Sequence, residues 1–86
     1  MTKLITFNDY LSKAENGARV LFDFYGYRLL DGIKGETASY FIMDLKNDKT
    51  YEISLSDAYE LIACYCAAVD RYVILNTIED LICKAA

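Results

Sequence analysis

The chain contains no histidine, no proline and only four glycines among its 86 residues. Each shortage excludes something. Without histidine, the commonest general base and a frequent metal ligand are missing. Without proline, and with so little glycine, no linker or low-complexity tract divides the chain, so residues 1–86 read as a single domain. No apolar run approaches the roughly 20 residues of a membrane span. The opening MTKLITFNDYL lacks the apolar stretch of a secretory signal, and a cytoplasmic location is expected. Three cysteines, an odd number, fit reduced thiols and not a disulfide framework. No basic cluster is available to hold phosphates, so direct nucleic-acid binding is not expected. Neither G-x-x-x-x-G-K nor G-x-G-x-x-G occurs; GYRLLDGIKG has the glycines without the phosphate-loop pattern.

What the chain does have is apolar and aromatic content. Hydrophobic residues make up 55%, with eight Tyr and four Phe, enough to build a core in a chain that buries only about 60–65% of its unfolded surface. Net charge is −4, unevenly placed. Residues 1–43 carry five acids and five bases, whereas 44–86 carry eight acids and four bases, so the whole excess lies in the second half.

Local signals predict an α+β domain in the order α-β-β-β-α-(β)-α. Thr6 followed by Asp9 is a capping-box variant, Ile5 and Tyr10 stand at hydrophobic-staple positions, and Asn16-Gly17 is a left-handed stop. ARVLFDFYGYRLLDG reads as one strand, with a bend or bulge at Gly26 and a turn at Asp31-Gly32. TASYFIMDLKNDKTYEIS reads as a hairpin with Leu45 opposite Thr50. That register puts Tyr40, Ile42, Tyr51 and Ile53 on the core face. Ser54 caps a second helix over 55–69, with Leu55, Ala58, Tyr59, Ile62, Cys66 and Val69 as its buried stripe. Residues 72–75 are a short fourth strand or a connector. Asn76 or Thr77 caps a last helix, with Ile78, Leu81, Ile82 and Ala85 facing inward.

Cys64-Tyr65-Cys66 invites a chemical reading. On a helix two residues stand about 200° apart, so the two thiols cannot share a metal ion, and a redox pair would need C-x-x-C. Cys66 is expected in the core. Cys64 is expected on a small-residue back face with Ala63, Ala67 and Ala68, which either the last helix or a second copy of the chain could cover. No carboxylate pair is fixed by spacing, and no enzyme, metal or cofactor is expected. Phe22–Arg28 (FDFYGYR) could suggest base stacking, but Asp23 interrupts it and basic residues are few, which favours core packing.

The middle strand is unusual. Phe41, Met43 and Leu45 make its second face apolar, and the expected neighbours across the hairpin, Ser54, Glu52 and Thr50, are polar. Such a face suits a protein-binding surface unless the first helix covers it. Asp44, Asp48, Glu52, Asp57 and Glu60 cluster around the third strand, so Phe41, Met43 and these five acids are the candidate partner-binding residues. In size, acidity and lack of catalytic residues the chain resembles the anti-CRISPR and other anti-defence inhibitors of phages and mobile elements. That resemblance, one of size and composition, implies a non-catalytic inhibitor that occludes the basic channel of a nucleic-acid-binding effector complex. The alternative is a homodimer or other homo-oligomer assembled through the small-residue face of the 55–69 helix.

Overall fold

Thr6 starts a helix as its sequence predicts. Its hydroxyl accepts from the Asp9 amide at 3.1 Å, and the Asp9 carboxylate accepts from the Thr6 amide at 3.3 Å. Two otherwise orphaned donors are satisfied reciprocally. The computed structural model, which describes residues 1–85, places a short strand before this helix. The order is β1 (Lys3–Ile5), α1 (Phe7–Lys13), β2 (Ala18–Phe24), β3 (Tyr27–Lys34), β4 (Thr37–Asp44), β5 (Lys49–Ile53), α2 (Leu55–Cys66) and α3 (Arg71–Cys83). The strands form one antiparallel sheet in the order β1-β5-β4-β3-β2.

The class is α+β with an antiparallel sheet, but five strands replace the expected three or four. The segment ARVLFDFYGYRLLDG makes two strands because Tyr25-Gly26 is a two-residue turn. Both residues have positive φ, 47° and 86°, the signature of a type I′ hairpin. A bulky tyrosine rarely adopts that conformation, which hid the turn. Asp31 and Gly32 lie inside β3, and the next turn falls at Gly35-Glu36, with Gly35 at φ 61°. Residues 72–75 belong to α3, not to a strand or connector. Its cap is Asp70, not Asn76 or Thr77; the Asp70 carboxylate accepts from the Tyr72 amide at 2.8 Å.

The β4–β5 hairpin differs in register. Asp44 opposes Lys49 and Ile42 opposes Tyr51, where Leu45 opposite Thr50 was expected. The cause is Asp44: its carboxylate accepts from the amides of Lys46 and Asn47 and from the Asn47 side-chain amide. These bonds end β4 at Asp44 and leave a four-residue loop. The shift is two residues on the partner strand, so parity holds. Tyr40, Ile42, Tyr51 and Ile53 still share one face.

The sheet is covered on both sides. On one, Phe22, Leu29, Ile42 and Ile53 pack with Ala58 and Leu61 of α2 and Ile74, Ile78 and Leu81 of α3. On the other, Leu30 and Phe41 pack with Tyr10 of α1, and Ile5, Ala14 and Met43 flank them. Because β3 and β4 are buried on both faces, their apolar residues run consecutively instead of alternating. Gly32 permits the close approach of α1: a Cβ there would lie 2.8 Å from that of Ala14.

Helix α2 is rotated from the expected stripe. Ala58 and Leu61 are buried, whereas Leu55, Tyr59, Cys66 and Val69 are exposed. The helix also stops at Cys66, three residues early. Val69 donates to the Cys64 carbonyl and Ala68 to that of Tyr65, which is a Schellman stop with Ala68 at φ 52° in the position that glycine usually takes. Ala68→Gly is therefore expected to stabilise the fold by about 0.5–1 kcal/mol, read from the denaturation midpoint.

Three tyrosines link this core to pH. Burial is the main cause that raises the phenol pKa values of Tyr27, Tyr40 and Tyr51; nearby Glu79, Tyr59 and Asp44, respectively, add to it. In the unfolded chain these phenols ionise near pH ~10, while the folded chain still holds their protons. The unfolded state thus binds fewer protons above that pH, and stability falls as pH rises. Melts from pH 8 to 12 should show this loss beginning near ~10. Tyr51→Phe should move the alkaline midpoint upward; an unchanged midpoint would count against this cause.

Candidate interaction surface

The structure does not bring the seven candidate partner-binding residues onto one surface. Phe41 is 0% exposed beneath α1, with the Tyr10 ring edge-on at 5.0 Å, so it cannot anchor a partner. Met43 is half-buried beside it. Asp44 is buried and committed to its own loop. Glu52 binds the Lys13 Nζ at 2.6 Å, tying α1 to the sheet. Asp57 is half-buried in the first turn of α2, and its amide donates to the Ser54 hydroxyl. Only Asp48, in the β4–β5 loop, and Glu60, on the outer side of α2, are exposed. The opposite face of the sheet separates the Phe41 cluster from α2, so the acids do not converge.

The cysteines exchange roles relative to expectation. Cys66 and Cys83 are exposed, while Cys64 is half-buried against the main core. Among the described residues no three Cys, Asp or Glu side chains converge on a metal position. No described helix is long and apolar enough to cross a membrane.

Two ion pairs stitch the β2 edge. Arg19 donates to Asp31 at 2.7 Å, next to Tyr40 on β4, and Arg28 donates to Asp23 at 2.6 and 3.1 Å. Hydrogen bonding to Arg28 holds the Asp23 carboxyl below its usual range. Both pairs join directly opposed residues of β2 and β3 and are structural.

The third arginine is placed differently. Arg71 opens α3 beside the β2–β3 turn. Its guanidinium carbon lies 5.9 Å from the Tyr25 ring centre and 5.1 Å from that of Tyr72. Nη1 and Nη2 each reach a phenol oxygen, of Tyr25 and Tyr72 respectively, at 3.4 Å. These hydroxyls raise its pKa further, so it stays charged. Tyr25 is 55% exposed and Tyr72 60%, and Val69 and Val73, close to Tyr72 in sequence, are exposed as well. Beneath, Tyr25 meets Phe24 edge-on at 4.8 Å, Phe24 meets Tyr65 at 6.2 Å, and Tyr65 stacks on buried Phe22 at 4.2 Å. An aromatic series thus runs from the core to an exposed Tyr-Arg-Tyr group. Sequence reasoning assigned the FDFYGYR aromatics to the core and missed this group. The signals were Tyr25-Gly26 read as a turn and Asp70 read as a cap.

No protein-family model, curated protein or solved structure matches this chain. The fold and the surface define its class by themselves: a small α+β domain whose sheet is covered by helices on both faces, with an aromatic and arginine group exposed at one end.

Proposed function

We propose that this chain is a non-catalytic protein-binding module whose contact surface centres on Tyr25, Arg71 and Tyr72. The observation that carries the reading is Tyr25. It occupies a left-handed turn position that favours asparagine, aspartate or glycine, yet it presents an exposed ring beside an arginine. Tyr and Arg are the residue types that most often anchor protein interfaces. The helices that border this surface are acidic: after residue 53 the chain has five acids and two bases, which favours a partner with a basic surface. The finer reading is a phage or mobile-element inhibitor that occludes the nucleic-acid channel of a host defence complex, as anti-CRISPR proteins do. It rests on the resemblance in size and composition.

Tyr25→Asn is the variant suited to the test, because Asn-Gly is the favoured pair for this turn. It is expected to keep the melting curve within about 1 kcal/mol of the parent and to weaken partner binding by about 2 kcal/mol. Immobilised parent chain should retain a specific host protein. Salt and added duplex DNA should both reduce that retention, and the variant column should lose it. Equal retention by the two columns, or indifference to DNA, would sink the reading.

A second reading is self-assembly. Ala63 on α2 and Ala67 at its C-cap are exposed and are not covered by α3, which leaves a small-residue surface open to a second copy. Light scattering over a range of concentrations decides it, since a strict monomer removes this reading.

A further inference from the structure

The geometry points to Arg71 as the receptor for a single carboxylate on the partner protein, taken as a forked pair of hydrogen bonds between the rings of Tyr25 and Tyr72. This inference rests on the protein-binding reading above and names the chemistry of what docks there.

The first support is that the charge of Arg71 is unused. Arg19 and Arg28 are each bonded to a carboxylate, whereas Arg71 forms no ion pair among the described residues. Its partners are neutral phenols at 3.4 Å, long for hydrogen bonds and weak competitors for a charged acceptor. The charge of Asp70 also acts on Arg71, but its carboxylate makes no direct bond to the guanidinium and instead caps α3, accepting from the Tyr72 amide. The second support is pre-organisation. A guanidinium flanked by two rings has already lost much of its rotamer freedom, so little more is lost when a planar carboxylate meets its fork.

The third support is contrast with the surroundings. Helix α2 has no base at all, and the only other base after residue 53 is Lys84. An acidic layer with one free arginine at its border selects a partner that is basic overall and carries one acid in register. A lysine opposite Arg71 would be repelled, and so would a polyanion laid along the acidic helices. The same layer repels a phosphate dianion or a nucleic-acid strand more strongly than a single carboxylate, which favours a carboxylate side chain as the occupant.

The test is an NMR titration of the whole chain, following the Arg71 Nε–H and the Tyr25 and Gly26 amides. The probe is a short synthetic peptide with one glutamate beside a leucine, flanked by lysines in a Gly-Ser background. Matched peptides replace glutamate with glutamine, lysine or phosphoserine, and a single-stranded oligonucleotide completes the set. The glutamate peptide should shift these three signals saturably. The glutamine peptide, and Arg71→Gln in the protein, should each weaken that binding by about tenfold or more. Arg71→Lys should weaken it as well, because a point charge lacks the fork. Melting curves report whether either variant is folded. No saturable shift at Arg71, tighter binding of the phosphoserine peptide or the oligonucleotide, or shifts that survive Arg71→Gln would each overturn the inference. A host protein retained equally by the parent and Arg71→Gln columns, but lost on Tyr25→Asn, would remove the carboxylate and leave the binding module standing.

Discussion

Replacing Phe41 with alanine is expected to cost about 3–5 kcal/mol, the range for a fully buried phenylalanine. A domain of this size has about 5 kcal/mol or little more to lose, so the variant should melt far below the parent or fail to fold. The reason is local to one face. Phe41 is wholly enclosed by Tyr10, Leu30 and the flanking Ile5, Ala14 and Met43, and α1 is only seven residues long. So short a helix is held by tertiary packing and not by its own propensity. Ile42→Ala, on the opposite face, should cost about 2–5 kcal/mol. Amide exchange distinguishes the two sites. Phe41→Ala should expose the α1 amides first, while Ile42→Ala should loosen α2 and α3. A Phe41→Ala variant with parental stability and protection would show that α1 does not cover this face.

A carboxylate introduced into α2 should sort its residues in the same way. Leu61→Asp is expected to unfold the domain, because it buries an unpaired charge where the parent side chain is 0% exposed. Cys66→Asp should cost about 1 kcal/mol or less, mainly from a negative charge near a helix C-terminus. Thiol labelling gives an independent check. In the native state Cys66 and Cys83 should react quickly and Cys64 slowly, and denaturant should equalise the three. Slow labelling at Cys66 together with tolerance of Leu61→Asp would restore the stripe that the sequence suggests.

That stripe was misread for a physical reason. Leu55, Tyr59, Leu61, Ile62, Tyr65 and Cys66 place apolar groups all around α2, and only Ser56, Asp57 and Glu60 mark a wet side. Helical periodicity locates a buried face when the opposite face is polar, and here it hardly is. The Phe41 face poses the same problem in a strand. Consecutive apolar residues fit a strand buried on both sides or one with an exposed binding face equally well, and the choice depends on where a distant helix docks. The interaction surface was the least legible part. Tyr25 and Arg71 are 46 residues apart, and nothing at that separation is encoded in local spacing.

The sequence by itself determined the local devices. The Thr6–Asp9 box, the Ser54 cap and the division of β4 and β5 into two faces all follow from bonds or alternation spanning three or four residues. It also determined the acidic balance, the missing histidine and the α+β class, which are matters of composition and pattern. Tertiary structure alone decided which faces are closed and which groups meet. Helix α1 seals Phe41 because Gly32 lets it approach. Leu61 displaces Cys66 from the core because α2 rotates to fit the sheet and α3. Arg71 finds two tyrosines because the β2–β3 turn and the start of α3 end at the same corner of the molecule. Such outcomes depend on the balance of packing over the whole chain, which no short window of residues contains.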